Sequence, residues 1–452
     1  MHQPSAGPQR RHWIQALAVA PWLGQAKAQG QPLSPAQLRE DLQQLREFVA
    51  RTHPDPAFSC PPAELAQAYQ MLEQGLSEPL SPQQAWLRFA RLNPLLADAH
   101  WFVGLPDWRK RLRSHVASGG RLFPFEVALN AAGELTLLAE LGGAPSRWRG
   151  ARVLRIDGQP VQQRTRALLA LMHGDTPEFR ARVLERRFAF FHQLLFGDAL
   201  RLELLLELQG RRQRVQFEAA AALPQLLQEE TDFERCYQFE LRPDGEALLT
   251  LHSFYWPDLT RYLAFTRQAF ERMRAAGSRV LTIDLRRNPG GDDVFWKRGL
   301  LDHLASRPYR AGAQYLKKVL PGRAGPNETV GQVVPGEIQA WEPAAGTGRF
   351  SGAVRVLVGR QTYSSAVLFA NTVQDHGFGL LVGEVGQVRT RQSGGIQTEA
   401  LRHSALEITA PRFILGRPSG QDEPRWLQPD LRLADPPEDP QQLLRSLRRG
   451  FA

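Results

Sequence analysis

The spacing of apolar and polar residues changes character twice along the chain and so divides it into three predicted regions. In the first, apolar residues recur at helical intervals over residues 34–49, 61–76 and 81–96. The first of these carries its acids early (Glu40, Asp41). The third opens with Ser81 as N-cap and Pro82 at the first helical position. These three amphipathic helices predict an N-terminal helical bundle, which ends at Ala97-Asp98-Ala99-His100-Trp101.

From about Gly119 the period falls to two. Residues 122–129, 134–141 and 151–156 read as strands, the last entering the turn Asp157-Gly158. Helical stretches at 163–172 and 177–195 follow, and strands at 199–208 and 212–218 close the region. A strand, a turn of this kind, a helix and a terminal hairpin resemble a PDZ module enlarged by a helical insertion. The third region alternates strand and helix. Strands are predicted at 247–254, 279–285, 354–358 and 379–382, with helices at 258–276, 293–306 and 364–376, an α/β pattern. Residues 320–351 are rich in glycine and proline and are predicted to form a surface flap or lid.

Composition adds little until the N-terminus is considered. With 42% hydrophobic and 23% charged residues, the 452-residue chain is ordinary for a globular protein. Its start is a basic segment (Arg10-Arg11-His12), an apolar run at 16–23 and the small-x-small step Ala26-Lys27-Ala28. This is the pattern of an export signal, and the paired arginines suggest the twin-arginine route. The run is too short for a membrane span, which needs ~20 residues. The expected location is therefore periplasmic or extracellular, with a mature chain from about Gln29. The net charge is +10. Its basic residues, among them Arg180, Arg182, Arg186 and Arg187, have no zinc-knuckle or aromatic-interleaved setting. They read as a solvated face, and nucleic acid is not an expected partner. The two cysteines, Cys60 and Cys236, lack metal-ligand spacing; one bridge and two buried thiols are both open.

Candidate chemistry lies in two blocks. Residues 280–291 form an apolar strand running into Asn288-Pro289-Gly290-Gly291, and residues 354–366 form a second strand ending in Thr362-Tyr363-Ser364-Ser365-Ala366. A glycine turn offers backbone N–H groups to an anion, and a serine between strand and helix presents its hydroxyl beside them. Such a serine needs a base. No lysine follows Lys318, which excludes a dyad with a downstream lysine, and there is no GxSxG elbow. That leaves histidine. Of eleven, His2 and His12 lie in the signal, His53 at a helix end, and His115 and His403 in polar stretches read as loops. His173 and His192 fall in the inserted helices, and His303 and His376 in core helices. His252, within a strand near the blocks, and His100, at a domain boundary, remain as candidates.

The blocks resemble the tail-specific, or C-terminal processing, peptidase family, in the branch nearer the catalytic core of the tricorn protease. Asp98-Ala99-His100 is similar to that family's Asp-Gly-His block, and Asp284-Leu285-Arg286-Arg287-Asn288-Pro289-Gly290-Gly291 to its Asp-Leu-Arg-x-Asn-x-Gly-Gly signature. Thr362-Tyr363-Ser364-Ser365-Ala366 is similar to its Thr-aromatic-Ser-Ser-Ala block. The His53-Pro54 context, Gly383-Glu384 and the run from Glu423 to Asp430 extend the likeness over nearly the whole mature chain.

The resemblance implies Ser364 as nucleophile and His100 as its base. Ser365 and one of Gly290 or Gly291 would form an oxyanion hole, and Glu423 would help orient or electrostatically support the site. The chain departs from the pattern at Ala99, where the tricorn-like core has a serine, at Trp101 in place of threonine (a residue that would shape a substrate pocket), at Val367, and at Pro424, Trp426 and Leu427. The implied fold is multidomain α/β. It has a signal at 1–28, a helical bundle carrying the base at 29–118, a PDZ-like module at 119–220, a crotonase- or ClpP-like catalytic core at 221–436 and a tail at 437–452. The implied protein is an exported serine peptidase acting through an acyl-enzyme, without metal or other cofactor. Its partner would be a peptide or protein substrate, engaged by its C-terminus at the PDZ-like module. A peptide-binding protein without turnover and a non-peptide ester or amide hydrolase are the alternatives.

Overall fold

The computed structural model describes residues 31–450, with side chains to 448. The expected signal at 1–28 lies outside the described residues. The N-terminal helices form where apolar spacing places them, at Pro35–Thr52, Pro62–Gln74 and Pro82–Phe89. Ser34 and Ser81 each close a capping box with the glutamine three residues on. The third helix continues through a tighter turn, Ala90–Leu92, into Asn93–Leu96, then stops at Ala97, whose φ of +48° is left-handed. The chain thereby turns inward, and Asp98 and His100 are buried. Asn93 fixes this turn by donating to the carbonyls of Val103 (3.0 Å) and Leu171 (2.8 Å) while accepting Val103 N–H (2.8 Å). His115, read as a loop residue, lies instead in the helix Trp108–Ala117.

An antiparallel sheet follows in the order Phe125–Leu129, Leu135–Glu140, Arg152–Ile156, Arg201–Leu208 and Arg211–Glu218, with Gln159–Pro160 folded onto the third strand. Between its third and last strands lie the helices Val161–Leu169, Pro177–Glu185 and Phe188–Phe196. The single helix expected at 177–195 is therefore two, broken at Arg186-Arg187, where Arg187 leaves helical geometry (φ −122°, ψ 7°). Leu38, Trp86 and Leu96 share one apolar cluster with Val127, Leu137, Phe188 and Leu204. The N-terminal helices and this sheet are thus packed around a common core.

The third region is a sheet in the spatial order Leu431–Arg432, Leu380–Gly383, Ala353–Val358, Val280–Asp284, Glu246–Leu251 and Tyr237–Leu241. All neighbours are parallel except the last pair, a hairpin. The edge strand Tyr237–Leu241 was not expected, although its apolar and polar residues alternate. Residues 320–351 are not wholly a loose flap. Val333–Glu337 pairs with Gln314–Lys318 in a separate four-stranded sheet completed by Phe413–Leu415 and Gln392–Gly394. Pro335 and Gly336 concealed this edge strand. The helix Gln442–Gly450 covers Leu357 and Val382 through Leu443, Leu444 and Leu447.

One long-range pairing positions the site. Phe102–Gly104 pairs with Glu407–Ala410, which also pairs with Gln397–Ala400. The segment following His100 is thereby stitched to a hairpin close in sequence to Gln392–Gly394. Among the described residues no helix is long and apolar enough to cross a membrane.

Candidate active site

The glycine turn is rigid. Arg286 grips Asp284 (2.6 Å), Asp435 (2.6 Å) and the Pro440 carbonyl (2.8 Å), anchoring the end of its strand. Buried Asn288 donates to the Leu251 carbonyl (3.1 Å) and accepts Gly290 N–H (2.8 Å). Both glycines are obligatory. Gly290 has φ +101°, and a Cβ there would meet Ser364 Cβ at 2.7 Å; Gly291 has φ +145°, and its Cβ would meet the Phe254 carbonyl oxygen at 2.2 Å. Gly290 N–H is already engaged by Asn288. Gly291 N–H has no acceptor among the described residues and Gly291 is exposed. Of the two candidates for an oxyanion donor, Gly291 is therefore the available one.

Ser364 sits where Ala353–Val358 gives way to the helix Ser365–Asp375. The turn is held by Thr362, whose hydroxyl donates to the Leu285 carbonyl (2.7 Å) and accepts Gly359 N–H (2.9 Å). Tyr363 N–H donates to the Asn288 carbonyl (3.1 Å), locking the two blocks together. Ser364 has φ +54° and ψ −126°, and its side chain does not cap the helix that follows. A non-glycine residue in such a conformation costs about 1–3 kcal/mol, which the surrounding structure must impose. Ser365 differs. Its hydroxyl donates to Asp293 (2.5 Å) and accepts from the Trp296 indole (2.9 Å), while its N–H stands free at the helix N-terminus.

His100 is reached from the other side. Its Nδ1 lies 3.0 Å from Ser393 Oγ, and Ser393 Oγ donates to Asp98 Oδ1 at 2.8 Å. The same carboxylate oxygen accepts His100 N–H at 2.7 Å. With Asp98 ionised, the single Ser393 proton is committed to it, so Ser393 must accept from His100. That places the imidazole proton on Nδ1 and leaves Nε2, which has no partner among the described residues, as a free base. No hydrogen bond joins His100 to Ser364, although the His100 ring lies 5.0 Å from that of Tyr363, the residue before the serine.

Behind these groups is a buried charge network. Asp175 accepts Ala99 N–H (3.2 Å), the Tyr363 hydroxyl (2.7 Å) and Arg389 N–H (3.2 Å), with the Arg389 guanidinium at 3.4 Å. Arg389 also donates to the Ala97 carbonyl (2.8 Å). Burial, then the neighbouring Asp175, raises the Asp98 pKa, and His100 and Arg389 oppose the rise. Burial and Asp175 push the Tyr363 phenol well above its usual value. Ser393, Asp175 and Arg389 were not found from sequence. They lie in polar stretches without a motif, and Ser393 is 295 residues from Asp98.

The remaining sequence candidates fall elsewhere. Glu423 is exposed, its carboxylate accepting Arg425 N–H (2.8 Å), and no contact joins it to His100 among the described residues. His252 is paired with Glu229 at 3.4 Å. Burial disfavours the charge on Glu229, yet the His252 hydrogen bond and Arg287 hold its pKa down at about 2. Trp101 is buried against His53, ring centroids 4.7 Å apart. The arginines read as a solvated face are half-buried, Arg180 donating to the Pro94 carbonyl (2.9 Å) and Arg182 to Glu185 (2.7 Å). Cys60 and Cys236 are free, buried thiols in separate apolar clusters. Among the described residues no cluster of His, Cys, Asp and Glu has metal-binding geometry.

The model of peptidase family S41 matches residues 247–433, the segment holding the glycine turn and Ser364. No curated protein matches the chain in sequence. Among solved structures, mature CPAF is similar at a TM-score of 0.62 and 15% identity, over 92% of this chain and 97% of that one. Mature CPAF complexed with lactacystin is similar at 0.62 and 14%, over 92% and 98%. The photosystem II D1 C-terminal processing protease aligns at 0.49 and 17%, over 91% and 97%. The likeness to CPAF shows a shared fold through nearly the whole chain. Residues 247–433 thus match peptidase family S41, in line with the tail-specific peptidase resemblance carried by the sequence blocks.

Proposed function

We propose that the protein is an exported serine peptidase that cleaves peptide bonds through an acyl-enzyme on Ser364. Ser364 Oγ attacks the peptide carbonyl carbon as His100 Nε2 takes its proton. The N–H groups of Gly291 and Ser365 receive the oxyanion, a donor pair in which each member is typically worth about 3–4 kcal/mol. Collapse of the tetrahedral intermediate breaks the C–N bond, and His100 returns the proton to the leaving amine. Water then releases the acyl group by the same steps. Ser393 and Asp98 hold the Nδ1–H tautomer and stabilise the imidazolium, the part the resemblance would give to Glu423. The antiparallel sheet between Phe125 and Glu218, read as PDZ-like, would present the substrate by strand addition.

The observation that carries this reading is a serine at φ +54° whose hydroxyl has no hydrogen bond among the described residues, on the turn locked to the glycine turn, with the Gly291 and Ser365 N–H groups also unengaged among the described residues. The second reading, a peptide-binding protein, is favoured by the missing Ser364–His100 hydrogen bond. Such bonds often close only with substrate present. Fluorophosphonate labelling decides between them. Labelling of wild type that is lost in both Ser364→Ala and His100→Ala is expected. A folded wild type that does not label would favour the binding protein, and labelling retained in His100→Ala would move the base to another residue.

A further inference from the structure

A cavity of about 460 Å³ opens beside the glycine turn, with Pro289, Gln361 and His252 among its lining residues. Pro289 directly precedes Gly290, and Phe179, another wall residue, stacks on Tyr363 at 4.5 Å. The cavity therefore begins two residues from Gly291, the proposed oxyanion donor. Its apolar wall includes Trp256, and its charged lining is Arg109, Arg182, Arg186 and Arg187 against Glu229 and Glu230.

These charges do not cancel in pairs. Glu230 is held by Arg109 in a two-pronged contact (2.8 and 3.0 Å). Glu229 is held by Arg287 (2.9 Å) and His252 (3.4 Å), and Arg182 is held by Glu185 (2.7 Å). Arg186 has no hydrogen bond or contact ion pair among the described residues, and its Nε is buried without a partner. Glu229 and Glu230 reach it only at longer range, against Arg287 and Arg109. Arg187 donates only to the His173 imidazole (3.2 Å), which burial keeps neutral, and lies over Trp108. Burial and neighbouring arginines push both guanidinium pKa values down to about 10. Two half-buried cations at the junction of Pro177–Glu185 and Phe188–Phe196 thus line the cavity with no carboxylate of the described residues in contact with either, since Glu229 and Glu230 are engaged by Arg287, His252 and Arg109. A guanidinium fork suits a carboxylate better than any other common peptide group.

We propose that this cavity is a specificity pocket for an acidic side chain, aspartate or glutamate, of a substrate residue flanking the scissile bond, with Arg186 and Arg187 as its anion ligands. The proposal deepens the peptidase reading of Ser364 and rests on it for the placement of the scissile bond. The methylenes of the substrate side chain lie against Trp256 and Phe179, and its carboxylate completes the coordination that Arg186 lacks.

The test separates binding from turnover. Fluorescent, N-acetylated and C-amidated peptides that differ only in glutamate against glutamine are titrated by anisotropy into full-length Ser364→Ala protein. The glutamate peptide should bind at least about ten-fold more tightly, a margin that shrinks with salt. Arg186→Gln, and independently Arg187→Gln, should bring the pair within about two-fold of each other. Equal affinity in the Ser364→Ala background, no binding of either peptide, or a preference governed by a free C-terminal carboxylate instead of the glutamate would each overturn the proposal, whatever the arginine variants do. Fluorophosphonate labelling of wild type reports on the peptidase reading separately. A labelled enzyme with equal affinities refutes the pocket alone, and glutamate-selective binding by an unlabelled protein refutes only turnover.

Discussion

Removing one hydroxyl tests how the histidine is held. In Ser393→Ala the 3.0 Å contact to His100 Nδ1 and the 2.8 Å bond to Asp98 both disappear. Asp98 keeps only His100 N–H on Oδ1, its Oδ2 being already without a partner. In the ground state the lost interaction is a neutral hydrogen bond of about 1 kcal/mol. In the transition state the imidazole is charged, and a hydrogen bond to a charged group is worth about 1.5–3 kcal/mol. At about 1.4 kcal/mol per factor of ten, kcat/KM should fall roughly ten- to a hundred-fold. The loss should appear in kcat, since Ser393 is buried, and the rate of fluorophosphonate labelling should fall in parallel. Ser393→Thr, which keeps the hydroxyl, should recover most of the activity. Glu423→Gln serves as the opposing variant, because Glu423 makes no contact with His100 here. If Ser393→Ala stays within two-fold of wild type while Glu423→Gln is crippled, the relay through Asp98 is wrong and the carboxylate implied by the family resemblance is the functional one.

Other perturbations probe the turn, the second serine and the ion pairs behind them. Gly291→Ala would drive a Cβ to 2.2 Å from the Phe254 carbonyl and displace the free N–H, so kcat should drop about 10²–10³-fold; a loss below ten-fold in a folded variant would remove Gly291 from the oxyanion hole. Ser365→Ala keeps its N–H but strands Asp293 and the Trp296 indole. It should cost about 1–3 kcal/mol of stability, measured by urea unfolding, with kcat nearly unchanged. Glu229 carries a pH signature. Its folded pKa of about 2 is below the ordinary 4.5, so its contribution is full above pH 4.5 and lost as pH falls towards 2. Glu229→Gln should therefore cost on the order of 3 kcal/mol at pH 7, with the gap to wild type closing in acid. A gap independent of pH would mean the pairing with Arg287 and His252 does not set its stability.

What the sequence made legible was whatever its local period encodes. The amphipathic helices before Ala97, the alternating strands, and both blocks flanking Gly290 and Ser364 are contiguous, so spacing alone located them. Val333–Glu337 was missed because an edge strand tolerates proline and glycine, whereas Tyr237–Leu241 was overlooked despite its alternation. The arginines near Arg186 were misread for a related reason. A charge in a polar helix looks the same in sequence whether it faces water or a cavity. Ser393 was invisible because its meaning lies in Asp98 and His100, brought to it by the pairing of Phe102–Gly104 with Glu407–Ala410.

That pairing has a consequence for how the site is assembled. The family-matched segment 247–433 contains the proposed nucleophile, both proposed oxyanion donors and Ser393, but neither His100 nor Asp98. The proposed base arrives only when residues 98–104 dock, and what docks them is charged as well as apolar. Asp175 holds Ala99 and Tyr363 at once, so one buried carboxylate fixes the residue before the base and the residue before the nucleophile. Burial and then Asp175 raise the pKa of Asp98, and His100 and Arg389, the latter bonded to Ala97, oppose the rise. Four separate chain segments must therefore be seated before Ser364 can be deprotonated. A chain unfolded locally at its N-terminal helices would retain the serine and its anion-binding N–H groups yet lack a base, so loss of that packing switches off chemistry before it dismantles the catalytic core.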